Sequence, residues 1–391
     1  MRTLDALLQR GGRAYAAAAF GEAREAYQAA LDCGGRQALG AAGALLRIAV
    51  LENRLDEAAL WLAASEAEAR ADAGWASWAL EYALRRQDFA AAASYARRAG
   101  DAGAAVYWEQ LARLETYRIE GASVESPLVT ADPLPVIEAR VNGRAARLLV
   151  DTAADHLLLD ENFAGSCGAR MAGVANRALF AGGSRALEDG WVDMLTLGGW
   201  SIGAVPAQIL SLRPLFHEFA GEVVDGVLGM RLLSLFRVTL NYPQASLQLQ
   251  ARPGPAVTAG MPLWLAPGGL PVTSMILNGS HRTLGLIDSG CMGLGLAARA
   301  AVLHPSTPQQ AVAAGGGGLT AIAPTRLRSL EAAGAVQQAV VAAALPDFPL
   351  AYRFGFCLDG FIGHEFLRRG VLELDFDCMR VLLDSSRDMQ A

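Results

Sequence analysis

The sequence predicts a multidomain α + all-β chain, an N-terminal α-helical repeat followed by two related β lobes. Three observations carry this. Residues 1–118 are rich in Ala, Leu, Glu and Arg, good helix formers, and no proline occurs before Pro127. A short apolar strand ending in aspartate occurs twice, as Leu148-Leu149-Val150-Asp151-Thr152-Ala153 and as Leu286-Ile287-Asp288-Ser289-Gly290. Each copy is preceded by alternating apolar residues around an Asn-Gly pair, Asn142-Gly143 or Asn278-Gly279, the signal of a tight β-hairpin.

The helical third repeats. Phe20 to Ala30 aligns with Leu55 to Leu62 and with Asp88 to Tyr95, and the small residues Ala23, Ala58 and Ala91 are spaced by 35 (58 − 23) and 33 (91 − 58). Alanine followed four residues on by Tyr or Leu sets a small contact and a large knob on one helix face. The pattern resembles tetratricopeptide repeats, whose period is about 34 residues and of which about three are needed for a stable stack. That resemblance implies a surface for an extended peptide or a protein partner. A purely structural arm is the plainer reading of the same residues.

The Ser, Glu and Pro residues between Gly121 and Pro135 read as a linker. The chain is therefore divided as 1–118 helical repeat, 119–132 linker, 133–255 first lobe and 256–391 second lobe.

In the first lobe, Pro135 to Val141 alternates as a strand does, and Ala145 to Val150 returns and delivers Asp151. Strands follow at 191–197 and 201–210, then Asp225-Gly226-Val227-Leu228-Gly229, a short helix from Met230, and a hairpin over 238–250 that turns at Tyr242-Pro243-Gln244-Ala245. The second lobe restates this order with Leu270 to Leu277, Asp288, Asp359-Gly360-Phe361-Ile362-Gly363, a helix from His364 and the strands of 371–384. The offsets agree: 137 between the motif aspartates (288 − 151) and 134 between the Asp-Gly-x-x-Gly segments (359 − 225). Asp225 and Asp359 read as turn residues rather than as reacting groups. A glycine pair, Gly182-Gly183, lies 31 residues after Asp151 (182 − 151), and the Gly315 to Gly318 tract, with Gly316 and Gly317 at its centre, begins 27 after Asp288 (315 − 288). Both read as mobile hairpin tips able to cover a cleft, and a plain flexible loop is the alternative for the second.

These motifs resemble the retropepsin and pepsin clan of aspartic proteases, in a bacterial form with both lobes on one chain. The resemblance covers Pro133 to Ser385 and implies a bilobal pepsin/retropepsin-like β-barrel fold. It implies Asp151 and Asp288 as the catalytic dyad and Thr152 and Ser289 as hydroxyls that lock the two loops together. It implies Ala153 and Gly290 as loop residues backing the carboxylates, and Ala153 departs from the glycine that the family carries. Asp155, four residues after Asp151, is implied as a substrate-backbone contact, with a surface or capping aspartate as the plainer reading. Gly182, Gly183, Gly316 and Gly317 are implied as flap residues, and the absence of tyrosine between Asp151 and Tyr242 matches the retroviral flap style. Cys291 follows the second motif directly and is expected to line the cleft.

Two carboxylates within hydrogen-bond reach cannot both ionise cheaply, so they share one proton. The ionised member can accept a proton from water while the protonated one polarises a carbonyl. Peptide-bond hydrolysis by this pair needs neither metal nor cofactor. Two other functions stay open: acid–base chemistry on a small molecule by the same pair, and non-catalytic peptide binding.

Composition narrows the partners. The 391 residues are 53% hydrophobic and 18% charged with a net charge of −6, an ordered globular chain without the basic footprint of a nucleic-acid binder. No apolar run is long enough to span a bilayer, and the residues after Met1 lack the continuous apolar core of a signal peptide, so a cytoplasmic protein is expected. The five cysteines, Cys33, Cys167, Cys291, Cys357 and Cys378, show no metal-ligand spacing and read as reduced thiols. His156, the histidine nearest a motif, reads as a core or surface residue.

Overall fold

A computed structural model describes residues 3–35, 39–67, 72–180, 183–213, 224–254, 259–301, 311–315, 318–345, 348 and 350–385. They form two compact units. One comprises Met1–Arg113 with Trp264–Pro267 and Tyr352–Cys357. The other comprises Leu114–Leu263, Gly268–Ala351 and Leu358–Ala391.

The helical unit has seven helices among its described residues: α1 (Leu4–Ala16), α2 (Phe20–Asp32), α3 (Leu39–Leu51), α4 (Leu55–Ser65), α5 (Ala73–Arg85), α6 (Phe89–Arg98) and α7 (Ala102–Leu111). Aspartates start the later ones. The carboxylates of Asp72, Asp88 and Asp101 each accept first-turn N–H groups that have no partner inside the helix. The repeated segments open α2, α4 and α6. Ala23 and Ala58 are fully buried as expected, but the third buried contact is Ala92, not Ala91. Each such alanine stands three residues after the first residue of its helix (Phe20, Leu55, Phe89), and Ala91 is one place off that register. The two short segments pack inside this unit: Phe20 meets Trp264 at 5.4 Å and Phe356 at 5.2 Å, and the Tyr15 hydroxyl donates to the Phe354 carbonyl at 3.1 Å. No helix of the described residues is long and apolar enough to cross a membrane.

The β unit is a duplication. Its first half contains β1 (Arg118–Gly121), β2 (Ser126–Thr130), β3 (Val136–Val141), β4 (Arg144–Val150), β5 (Leu157–Asp160), α8 (Glu161–Cys167), β6 (Arg170–Phe180), β7 (Gly183–Leu197), β8 (Trp200–Leu210), β9 (Gly226–Leu228), α9 (Met230–Leu233), β10 (Arg237–Asn241) and β11 (Ser246–Gln250). The second contains β12 (Met261–Ala266), β13 (Leu270–Leu277), β14 (His281–Ile287), β15 (Leu294–Ala297), α10 (Ala298–Ala301), β16 (Ala311–Gly315), β17 (Gly318–Ala332), β18 (Ala335–Leu345), β19 (Gly360–Ile362), α11 (His364–Leu367), β20 (Val371–Asp375) and β21 (Arg380–Asp384).

In each half six strands close on themselves. The pairings β3–β4, β4–β9, β9–β5, β5–β8, β8–β7 and β7–β3 form one ring. The pairings β13–β14, β14–β19, β19–β15, β15–β18, β18–β17 and β17–β13 form the other. Even the parallel neighbours correspond, β4–β9 with β14–β19 and β5–β8 with β15–β18. Asn142 and Asn278 adopt φ of 49° and 52°, with Gly143 and Gly279 at 80° and 77°, the left-handed pairs that the Asn-Gly signals require.

A third sheet joins the halves in the order β2-β11-β10-β20-β21-β12. Its centre is the β10–β20 pair, where Thr239 stands opposite Glu373. These two residues are themselves 134 apart (373 − 239), so the local two-fold of the duplication passes between them.

The expected linker is not one. It carries β1, paired with β8, and β2, paired with β3 and β11. Those partners lie far away in sequence, and a Ser/Pro-rich stretch gives no local sign of them.

Candidate active site

Asp151 and Asp288 each follow the last residue of an inner strand, β4 or β14. The Asp151 N–H donates to the Leu228 carbonyl at 3.1 Å and the Asp288 N–H to the Ile362 carbonyl at 3.0 Å, so each motif is tied to the Gly-x-x-Gly segment behind it. Those glycines are dictated by space. A Cβ on Gly226 or Gly360 would sit 2.3 or 2.2 Å from the carbonyl oxygen of the adjacent strand. On Gly229 or Gly363 it would meet a backbone oxygen at 2.3 or 2.1 Å. The next two residues repeat the tie: Met230 N–H donates to Ala154 O and Arg231 N–H to Asp155 O, as His364 N–H does to Cys291 O and Glu365 N–H to Met292 O.

The two loops interlock. The Thr152 hydroxyl donates to Ile287 O and the Ser289 hydroxyl to Val150 O, both at 2.7 Å. Each hydroxyl oxygen also accepts the other residue's backbone N–H at 3.0 Å. Both side chains are buried, so four hydrogen bonds pair two hydroxyls, two N–H groups and two carbonyls across the two-fold.

This lock brings the carboxylates together. The N–H groups of Ala153 and Ala154 donate to Asp151 Oδ1 at 2.7 and 3.2 Å, and those of Gly290 and Cys291 hold Asp288. Both residues are partly accessible, yet enough protein surrounds them that desolvation is the main influence on each. It raises the Asp151 carboxyl above the usual range. It raises Asp288 well above that range, with the Asp151 charge adding to the rise. Two carboxyls so placed do not both ionise easily, so between their two ionisations the pair holds one proton.

Gly290 lies against Asp151, where a Cβ would be 2.3 Å from the carboxyl carbon. Ala153, at the equivalent place in the first loop, is not among the residues with positive φ, so its methyl brings no left-handed strain.

Residues 137–232 match the aspartyl protease family. The match lies within the first lobe and includes Asp151 and the Gly-x-x-Gly segment. A retropepsin-like aspartic protease from Rickettsia conorii is 17% identical, covering 35% of this chain and 96% of its own, with a TM-score of 0.25. Conglutin gamma, a unique basic 7S globulin from lupine seeds, is 13% identical over 67% of this chain and 94% of its own, with a TM-score of 0.38. No curated protein matches the chain.

The remaining expected residues divide. Asp155 Oδ1 accepts from Arg231 Nε at 2.6 Å, and His156 Nδ1 lies 3.5 Å from Asp155 Oδ2, so this aspartate, four residues after Asp151, is held by Arg231. Its counterpart in the second half is Met292, with Glu365 in place of Arg231, so the two sides of the dyad differ in charge. Burial, then the Asp288 charge, pushes the Cys291 thiol well above its ordinary range, and its Sγ lies 3.7 Å from Gly293 O. It is no activated nucleophile.

Gly183 opens β7 opposite Phe180 of β6, and Gly318 opens β17 opposite Gly315 of β16, so each half carries one long hairpin. Gly182, Gly316 and Gly317 lie outside the described residues. Asp225 accepts from Arg147 N–H at 3.0 Å and Arg213 Nη2 at 2.7 Å, and Asp359 binds Thr283 and Arg299, structural roles at the barrel ends. Tyr242 and His364, whose rings meet at 5.2 Å, belong to none of the motifs. Their only signal is that each breaks an apolar pattern kept by the other half, Phe376 and Met230.

Proposed function

We propose that the chain is an aspartic endopeptidase in which Asp151 and Asp288 activate one water for peptide-bond hydrolysis. The observation that carries this reading is the reciprocal Thr152–Ser289 lock. It holds two carboxylates with raised proton affinity on one two-fold axis. The ionised carboxylate removes a proton from water, and the water oxygen attacks the amide carbon. The protonated carboxyl donates to the carbonyl oxygen as that oxygen gains charge. Collapse of the tetrahedral species returns that proton, and the departing nitrogen takes the other, leaving the pair with one proton again. The residues needed for each step are side chains of this chain.

The hairpins β6–β7 and β16–β17 are assigned to covering the peptide. The helical unit is assigned to recruiting a protein substrate or partner. Recruitment predicts a lower KM for a folded protein than for a short peptide with the same cleavage site, and equal values contradict it.

A peptide isostere bearing a hydroxyl in place of the scissile carbonyl imitates the tetrahedral species. It should bind at least a hundredfold tighter than the matching amide peptide. Asp288→Ala should abolish that preference. Equal binding of isostere and amide by the native protein contradicts hydrolysis at this pair.

A further inference from the structure

Beneath the dyad the duplication breaks its own symmetry. Tyr242, which follows β10, packs edge-on against His364, the first residue of α11, with ring centroids 5.2 Å apart at 72°. Their counterparts 134 residues away are Phe376 (376 − 242) and Met230 (364 − 230), both apolar and fully buried. The equivalence is fixed by hydrogen bonding. Asn241 Oδ1 accepts from the N–H of Gln244 as Asp375 Oδ1 does from Cys378, and Met230 N–H donates to Ala154 O as His364 N–H does to Cys291 O. One side of the two-fold thus carries Phe and Met, and the other carries a phenol and an imidazole.

Packing alone does not explain the polar side. Tyr242 and His364 are 5% and 1% exposed, and the Tyr242 hydroxyl has no hydrogen-bond partner among the described residues. A buried hydroxyl without a partner destabilises the fold, and the opposite half shows that phenylalanine fits the same position. What surrounds the pair is charge. His364 Nε2 lies 3.4 Å from Asp132 Oδ1, within ion-pair reach though off hydrogen-bond geometry. Asp132 is largely exposed and also binds Arg368, which in turn binds Glu365. At the other end, burial holds the Tyr242 phenol above its ordinary range, and the charges of Asp288 and then Asp151 add to the rise. Burial is the main influence on His364 and lowers it from the ordinary imidazole value, against Asp132 and Glu365, which raise it, and with Arg368.

We propose that Asp132, His364 and Tyr242 form a polar path from the protein surface to the underside of the carboxylate pair, and that His364 and Tyr242 are positioning residues that set the pH range of the dyad. The path rests on the peptidase reading only in what the dyad is used for. The Tyr242 hydroxyl presents a donor dipole below the pair and favours its ionised forms. His364 adds positive charge there once it takes a proton, which it does below neutral pH. The Asp132, Arg368 and Glu365 cluster connects that imidazole to solvent.

The test uses the full chain and the residues of the opposite half, Tyr242→Phe and His364→Met, which the fold already accommodates at the equivalent places. Peptide cleavage is followed against pH. Tyr242→Phe should move both limbs of the profile to higher pH by half a unit or more. His364→Met should raise the acid limb more than the alkaline one, because the imidazole gains its charge as pH falls. A second measurement does not depend on catalysis. The His364 ring is titrated by NMR in the native protein and in Asp151→Asn/Asp288→Asn, where loss of the negative charge that the pair carries should lower its midpoint by at least 0.3 unit. An unchanged midpoint, or folded variants with the native pH profile, would overturn the path. A shifted midpoint with no cleavage by the folded native protein would uphold the path and stand against the peptidase reading.

Discussion

Thr152 and Ser289 exchange hydrogen bonds across the two-fold, each hydroxyl accepting the other's backbone N–H at 3.0 Å. Because both are buried, removing one hydroxyl leaves an N–H and a carbonyl without partners. Thr152→Val or Ser289→Ala should cost about 1–3 kcal/mol in chemical denaturation, the penalty for unpaired buried polar groups. Activity should fall further than stability, since the same lock sets the distance between the carboxylates. A variant with native kcat would show that the lock does not position the dyad.

The two loops should tolerate change unequally. Gly290→Ala puts a methyl group 2.3 Å from the Asp151 carboxyl carbon, so the carboxylate must move. Cleavage should drop at least a hundredfold while the protein remains folded. Ala153→Gly meets no such obstacle and costs at most about 1 kcal/mol through the added freedom of the unfolded chain. Its kcat should stay within about tenfold of native. Loss of activity there would mean that the methyl group is part of the working site.

Much of this site was legible in the sequence because its residues obey hard local constraints. Four glycines pressed against neighbouring backbone, two Asn-Gly turns with positive φ, and two hydroxyls after the aspartates leave little freedom of type. The expected hairpins at 142–143 and 278–279 therefore fall where the structure has them. What the sequence hid depends on distant partners. The strands of β1 and β2 look like linker until β8, β3 and β11 are beside them. Ala92 replaces Ala91 because a single step in an alanine run is invisible without the helix start. Tyr242 meets His364 although 122 residues separate them (364 − 242), and neither belongs to a motif.

The dyad should make the protein less stable as pH rises. Asp288 has its carboxyl raised in the folded state by burial and by Asp151. Its favourable contribution is complete below the unfolded value of 3.8 and is lost as pH climbs through the folded one. Asp288→Asn removes this loss, so the variant should melt above the native protein at pH 7, and the gap should close toward pH 3. His364, lowered by burial, acts in the opposite sense below 6.5 and is present in both proteins. Melting curves of the two proteins from pH 3 to 8 decide this. A variant that is less stable at pH 7 contradicts the shared-proton pair.

The sides of the cleft should differ in what they hold. Asp155 is clamped by Arg231, whereas its counterpart Met292 is 43% exposed. Asp155→Ala should cost about 1 kcal/mol, a partly exposed ion pair contributing no more, and should raise the KM of peptides severalfold. Met292→Ala should leave stability within about 0.5 kcal/mol and change only the preference for the residue it touches. Equal effects of the two substitutions on KM would remove the asymmetry.

The most direct test is digestion of a mixed peptide library between pH 4 and 7 by the native protein, Asp151→Asn and Asp288→Asn. Cleavage by the native protein at defined sites, lost in both folded variants, is the expected result. A folded native protein that cuts nothing, or a variant that still cuts, would contradict hydrolysis by a shared Asp151–Asp288 pair.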